Sequence, residues 1–355
     1  MSGRKQHYIP QFIMRGFSES GSGKYAQVKV YRRDNSFSTS TEGVGAEREF
    51  YSKLNNDEQT LDDMITNAET EYEEIHRTLL QASVNDTVDS KRVARLLAHL
   101  SVRGNNIRDS LSTGGRYAIA TATEAFSDSD TCKQLLGLSG SEPSRNLKQK
   151  LDNLYNENRA KVRTARMSRH EFRKFAFNHA KQNWDVAFRD LLPSISFGSA
   201  VLDFPTFAAE AHNDILQKNI EPEVRVAAME SFAWRIIETD AELILPDCVG
   251  LAHDDEEGPT PLAFAGVKDL KGVVFPLTPT KAVCGGIYLA DSLLDVLLLK
   301  FQTFAAHSSW EFFVAAPKTQ IDQSTQQLIG GKIVKTITSS IEEALQDALL
   351  EGLKA

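Results

Sequence analysis

Three polar side chains able to bind an anion or move a proton open the chain. His7, Gln11 and Arg15 stand within His7-Tyr8-Ile9-Pro10-Gln11-Phe12-Ile13-Met14-Arg15-Gly16-Phe17. Histidine titrates near neutral pH, and His, Gln and Arg can all donate hydrogen bonds to phosphate or carboxylate. Solvated terminal tails are poor in aromatics. This stretch is rich in them, so it is expected to be tied into the core. Pro10 suits the first turn of a helix, which the spacing places over 10–15 with Gly16 as its stop. Gln11 and Arg15, four apart, share one face, while Ile13 and Phe17 take another and His7 precedes the helix. His7 and Arg15 are therefore candidate catalytic residues and Gln11 a candidate binding residue. The competing reading makes Arg15 half of a buried ion pair and His7 a hydrogen-bonded anchor.

Two later constellations also carry chemistry. A helix starting at Asp89 or Ser90 turns Val93, Leu97 and Leu100 inward and carries Arg92, Arg95, His99 and Arg103. Six residues separate Arg92 from His99. That spacing resembles the Arg and His pair of helical RNA-cleaving domains, with Val93 where those domains usually place a polar residue. Farther on, Pro246-Asp247 ends an apolar strand and Asp269-Leu270-Lys271 precedes another. This is the outline of a metal-dependent nuclease core. Asp247 and Asp269 would hold Mg²⁺, and Lys271 would stabilise developing charge or orient the water. The acidic loop between them, His253 to Gly258, reads equally well as a solvent-facing loop. No Ser-His-Asp, HExxH or glycine-rich dinucleotide pattern is present.

Charge is unevenly distributed. From Arg145 to Arg189 there are twelve Lys or Arg and four Asp or Glu, a surplus of eight positive charges. The whole chain carries −8, so the remainder carries −16. A local anion-binding surface on an acidic protein has this asymmetry, as does a solvated helix face. Arg163, Arg166, Arg169, Arg173 and Lys174 are the candidate phosphate contacts, with RNA or DNA as the partner.

Helical spacing predicts a long helix from Asn56 or Asp57 to about Gln81, with an apolar stripe from Leu61 to Leu79 and an acidic, solvated remainder. Two basic helices are expected, from Ser144 to about Arg166 and from a capping box at Ser168 and Glu171, the second burying Phe172, Phe175, Ala176, His179 and Ala187 in some combination and ending at Pro193. Residues 197–207 read as strand-like or looped. Strands are expected at Gln27–Arg32, near Phe232–Ile236, Leu243–Leu245, Val273–Leu277, Val283–Leu289 and Glu311–Ala315. Residues 35–45 read as a loop. A buried helix is expected from Asp291 to about Ala306, and a second capping box, Ser340 and Glu343, is expected to start the last helix. The fold class is α+β: a helix-rich N-terminal two-thirds, with a mainly antiparallel sheet formed largely by the C-terminal third. The regions are 1–140, a basic helical 141–230 and a strand-rich 231–355, within three domains or one. A 355-residue chain is long enough to bury a sizeable core. No secretory signal or membrane span is evident, and Cys132, Cys248 and Cys284 are widely spaced, which points to a reducing cytoplasm.

The opening resembles that of a family of proteins of unknown function, whose members begin His-Tyr-x-Pro-x-x-x-Leu-x-x-Phe, often with Arg before the last pair. Here the pattern is His7, Tyr8, Pro10, Gln11, Phe12, Met14, Arg15 and Phe17. It continues in Glu47, Phe50 and Tyr51, in Trp234, and in Phe275-Pro276-Leu277 with Pro279. Where the family often has Thr-Ser-Asp-x-Pro, this chain has Leu245-Pro246-Asp247-Cys248-Val249. The resemblance implies no activity. From the residues, the expected function is a nucleic-acid-binding or nucleic-acid-processing hydrolase, one setting being an effector in bacterial conflict or defence. The alternative is a non-enzymatic sensor or binding module for a protein or small anion.

Overall fold

The computed structural model describes residues 5–19, 25–51, 60–84, 86–200, 203–253, 258–287 and 298–354. The expected turn at Gly21–Lys24, the caps Asn56 and Asp57, the acids at 254–257 and the start of the helix at Asp291 lie outside them. In chain order, strand β1 (Lys5–His7) leads into helix α1 (Gln11–Arg15), then β2 (Gln27–Arg32), β3 (Ser36–Ser40), a 3-10 turn (Thr41–Gly43) and β4 (Ala46–Arg48). Helices α2 (Leu61–Gln81), α3 (Ser90–Arg103), α4 (Asn105–Ser127), α5 (Ser129–Leu135), α6 (Arg145–Glu157), α7 (Arg159–Thr164), α8 (Arg169–Gln182), α9 (Trp184–Ala200), α10 (Phe204–Lys218) and α11 (Glu223–Glu230) follow. Then come β5 (Ala233–Glu238), β6 (Leu245–Pro246), β7 (Leu251–His253), β8 (Thr260–Pro261), β9 (Gly272–Thr278) and β10 (Lys281–Gly286). The last elements are α12 (Phe301–Ser308), β11 (Phe312–Ala315), α13 (Gln323–Gln326) and α14 (Gly331–Lys354). The fold is α+β, as the residue pattern predicts.

Local chemistry accounts for the helix starts. Thr60 and Asp63 form a reciprocal capping box on α2: the Asp63 N–H donates to Thr60 Oγ1 (3.2 Å) and the Thr60 N–H to Asp63 Oδ2 (3.0 Å). Asp89 caps α3, and the predicted box at Ser168 and Glu171 caps α8. Other elements depart from the pattern. Residues 36–40 form a strand because β3 is an exposed sheet edge, where serine and threonine meet no core and no alternation is needed. Residues 204–207 are helical, and α9 runs through Pro193, which removes one backbone donor without ending the helix. Ser340 and Glu343 lie inside α14, already running from Gly331, so their box pattern is coincidental. On α8 the buried ring is Phe177, while His179 is exposed. The expected helix 144–166 is split into α6 and α7 at Asn158.

The chain divides into two compact units that cut across the boundaries at 140 and 230. The first comprises residues 1–111 and 205–335. It holds the sheets: the β1–β4 pair, a five-stranded sheet ordered β5-β10-β9-β7-β8, and a four-stranded sheet ordered β3-β2-β11-β6. Every strand pairing is antiparallel. The N-terminal strands β2 and β3 share a sheet with β11 and β6, so the last third completes a sheet begun by the first fifty residues. The core joins Ile9, Ile13, Met14 and Phe17 of the opening segment to α2, α3 and the inward side of β9. Close approach fixes two glycines. A Cβ on Gly16 would lie 2.0 Å from the Leu277 carbonyl oxygen, so the opening segment and the Phe275-Pro276-Leu277 strand meet here. Gly16 is right-handed helical, so its smallness matters and not a left-handed stop. Gly285 lies against the Trp234 ring, where a Cβ would come within 2.3 Å.

The second unit comprises residues 112–204 and 336–355 and is helical. Its small core gathers Cys132, Leu138, Leu151, Phe177 and Trp184, and the Trp184 indole donates to Ser129 Oγ (2.9 Å). Among the described residues, no helix is long and apolar enough to cross a membrane.

His76 on α2 tests how dry the first unit's core is. Its ring packs beside Phe12 and Phe275, its Nε2 has no partner, and burial lowers its pKa from 6.5 to about 4. The folded state therefore refuses a proton that the unfolded chain accepts below pH 6.5. Stability drawn from the neutral ring is lost as pH falls toward 4, at about 1.4 kcal/mol per pH unit. His76→Phe is expected to gain on the wild type by this amount per unit in urea titrations between these limits. A pH-independent difference would contradict the dry site.

Candidate functional site

The N-terminal polar residues sit against an ionic strip on α2. Strand β1 pairs with β4, and the Tyr8 and Ile9 N–H groups both donate to the Gly45 carbonyl (2.8 and 3.1 Å). Gly45 adopts φ +59°, the left-handed region that favours glycine. This turn fixes the backbone of His7. Arg103, the last residue of α3, reaches it from below: its Nη2 donates to the His7 carbonyl, its Nη1 to Glu69 Oε1 (2.6 Å) and to His99 Nε2 (3.2 Å), and its Nε to the Tyr51 hydroxyl (3.3 Å). The Tyr51 hydroxyl donates back to the Arg103 carbonyl (3.0 Å), and the Tyr51 N–H donates to Gln6 Oε1 (2.5 Å). Arg15 Nη1 lies 3.6 Å from Glu73, one helical turn beyond Glu69. Gln6 bonds to Asp62, whose pKa burial raises. The face of α2 expected to be merely solvated thus carries Asp62, Glu69 and Glu73 toward the opening segment.

His99 is fully buried, and its tautomer is fixed by its partners. Nε2 accepts from Arg103, so Nδ1 carries the proton and donates to the Ile220 carbonyl (3.1 Å). Burial, followed by the Arg103 charge, lowers its pKa to about 3. A second pair has the opposite tautomer. Arg108 Nε donates to His212 Nδ1 (3.0 Å), and His212 Nε2 donates to the Val102 carbonyl (2.6 Å). Arg108 also donates to the Phe50 carbonyl and to Asn213 Oδ1 (2.6 Å), and lies over the Phe50 ring at 3.4 Å. Burial lowers its pKa to about 10, against the pull of Tyr51, Glu47 and Asp109. Two arginines on two neutral histidines therefore hold the opening segment and the Phe50-Tyr51 turn.

The candidates for chemistry are unevenly placed. His7 keeps a buried Nε2 without a partner, and its pKa is lowered, chiefly by burial and then by Lys5. Gln11 Oε1 accepts from the Thr41 hydroxyl (3.4 Å). Arg92 is half-buried in the first turn of α3, whereas His99 two turns on is sealed and bonded through both nitrogens. Asp247 is 5% exposed and follows β6; its Oδ1 accepts from the Trp310 N–H (2.8 Å) and its Oδ2 from the Glu311 (2.6 Å) and Phe312 (3.1 Å) N–H groups. Burial raises its pKa to about 7 against the pull of these three donors. Asp247 thus fastens the start of β11. Asp269 and Lys271 are exposed, in the approach to β9 of the other sheet. Among the described residues, no group of three or more His, Cys, Asp or Glu side chains could hold a metal ion.

Reading the sequence alone missed Arg108, His212 and Asn213, which meet only through the packing of α4 and α10. One signal was present: Arg95, His99 and Arg103 recur every four residues on α3, one stripe of one face. Arg95 binds Glu71 (2.6 Å) and Glu221 (2.8 Å), completing that stripe.

In the second unit the proposed phosphate contacts cluster at the α7–α8 turn. Arg163, Arg166, Arg169 and Lys174 are exposed, as are Arg159 and Lys161. Arg169 bonds to Asn156 (3.2 Å) and lies over the Tyr155 ring, while Arg173 is paired with Asp152 (3.3 Å). Arg159, Lys161, Arg163, Arg166 and Lys174 have no ion-pair partner among the described residues. Arg166 adopts φ +52°, a left-handed turn position where glycine carries no strain.

The first unit defines an α+β protein whose opening segment is locked by buried arginines. The chain belongs to the family described as protein of unknown function (DUF4238), whose model matches residues 5–287. Comparison with curated proteins and with solved structures gave no match.

Arg103→Met is expected to cost about 3–5 kcal/mol in urea unfolding, because Glu69 and the His7 carbonyl lose a buried partner. A loss under about 1 kcal/mol would place the anchor elsewhere. Asp247→Asn is expected to cost about 2–3 kcal/mol, since an amide cannot accept from all three N–H groups. Mg²⁺ is expected to leave the wild-type melting temperature unchanged. A Mg²⁺-dependent rise that Asp247→Asn abolishes would restore the metal reading.

Proposed function

We propose that the protein binds nucleic acid through its phosphate backbone, using the cations around the α7–α8 turn. The observation that carries this reading is the set of five exposed, ion-unpaired cations on three consecutive short elements: Arg159, Lys161, Arg163, Arg166 and Lys174. A solvated structural face usually interleaves acids with bases, as Arg173 and Asp152 do beside it. Arg166 adds weight: a purely structural turn at φ +52° would favour glycine or asparagine. The remainder of the chain, at −16, repels a polyanion and so favours docking on this surface alone. Phosphodiester hydrolysis draws less support. His99 and Asp247 have their polar atoms engaged within the fold, which leaves His7, with its free Nε2, as the candidate for proton transfer.

Fluorescence anisotropy of a labelled oligonucleotide over a range of salt concentrations tests the reading. Five phosphate contacts give a slope of log affinity on log salt of about −3.5 to −4.5, depending on strandedness. The triple variant Arg163→Glu, Arg166→Glu, Lys174→Glu is expected to melt like the wild type, bind at least about tenfold more weakly and lose about two units of slope. Unchanged affinity and slope in that variant would overturn the proposal.

A further inference from the structure

We infer that the nucleic acid this surface takes is single-stranded, with an unpaired base stacking on the Phe175–His179 ring pair of α8; the inference rests on the phosphate-binding reading above. Helix α8 buries Phe177, with Ala176 and Ala180 packed beside it, and needs no further ring for its core. Phe175 is nevertheless 56% exposed. A lone exposed phenylalanine needs no special account, but this one is paired with a second ring. Its ring stacks on the equally outward His179, with centroids 5.8 Å apart and planes 16° apart. Asn183 holds the imidazole: its amide donates to His179 Nδ1 (3.2 Å) and to the His179 carbonyl (2.9 Å). Nδ1 therefore accepts from the Asn183 amide. The pair presents stacked ring surface to solvent.

Its surroundings are cationic. Lys174 is adjacent in sequence and has no ion-pair partner among the described residues. The only acid on the exposed part of this helix, Glu171, is engaged in the capping box with Ser168. On the neighbouring side of α8, Arg169 lies over Tyr155, which packs edge-on against Phe172. Rings and cations thus occur together on α8 and on Tyr155 of α6 beside it. Surfaces that bind single strands combine cations that follow the phosphates with aromatic rings that stack on the bases. A duplex offers its phosphates to such a surface, but its base faces are already stacked on one another. The ring pair therefore adds affinity only for unpaired bases.

The test uses the full chain with a labelled single-stranded RNA, a single-stranded DNA and the matching DNA duplex, at one salt concentration and then across several. Wild type is expected to bind a single strand about tenfold tighter than the duplex, and Phe175→Leu to lose about tenfold on the single strand while duplex affinity and salt slope stay as they were. Phe175→Trp, which restores a stacking face, is expected to retain single-strand binding. Because Phe175 is exposed, circular dichroism of each variant should match wild type. Equal binding of single strand and duplex, or no single-strand loss in Phe175→Leu, would overturn this inference and leave the phosphate reading standing. No binding of any of the three probes would overturn both.

Discussion

A guanidinium sealed from water must have its donors answered by the protein, and Arg103 is sealed. Its four partners come from four separate segments: the His7 carbonyl, Tyr51, Glu69 on α2 and His99 on its own helix. Leaving such a charge unpaired would cost several kcal/mol, so these segments must arrive together. The arrangement dictates the state of its neighbours as well. A histidine that accepts from arginine cannot be protonated there, so His99 must be neutral and donate through its other nitrogen to Ile220. Arg108 and His212 repeat the arrangement with the opposite tautomer. From the opening segment this requirement takes the His7 backbone carbonyl; the side chains of Gln11 and Arg15 pair instead with Thr41 and Glu73.

The same constraint explains why the strands divide as they do. The opening segment lies against β9 closely enough that Gly16 admits no side chain beside Leu277. Strand β2 then continues into the sheet that β11 and β6 complete. Asp247 performs at the start of β11 what Gly45 performs at the end of β1: it fixes one end of a strand, here by accepting three consecutive backbone donors. A carboxylate in that position holds the edge of a sheet rather than presenting its oxygens to an ion.

The second unit obeys different rules. Its core is small, built around Phe177, Trp184 and Leu151, and most of its charged side chains face water. Helices of this kind are held by caps and by a narrow apolar stripe, which leaves the outer faces free to carry whatever binding requires. Here those faces carry exposed rings and cations that have no ion-pair partner among the described residues. The apolar side chains of the core and the exposed charged side chains thus point in different directions on the same short helices.

Periodic elements were legible in the residues: α2, α3, the Ser168 cap, β2, β5 and β9 all follow from spacing, because apolar repeats and capping pairs act within a few residues. The α+β class and the buried opening segment followed as well. Elements without a local signal were not legible. The edge strand β3 is mostly serine and threonine with one exposed ring, Phe37, α9 continues through Pro193, and the Ser340 cap falls inside a helix already formed. The candidate site divides in the same way. The basic cluster is a property of composition, so the sequence by itself determined where the positive charge lies. The tertiary structure alone decided which charges are occupied. Whether Glu69, Asp247 or His99 faces water or a partner depends on residues distant in the chain, and only folding brings those partners within hydrogen-bond reach.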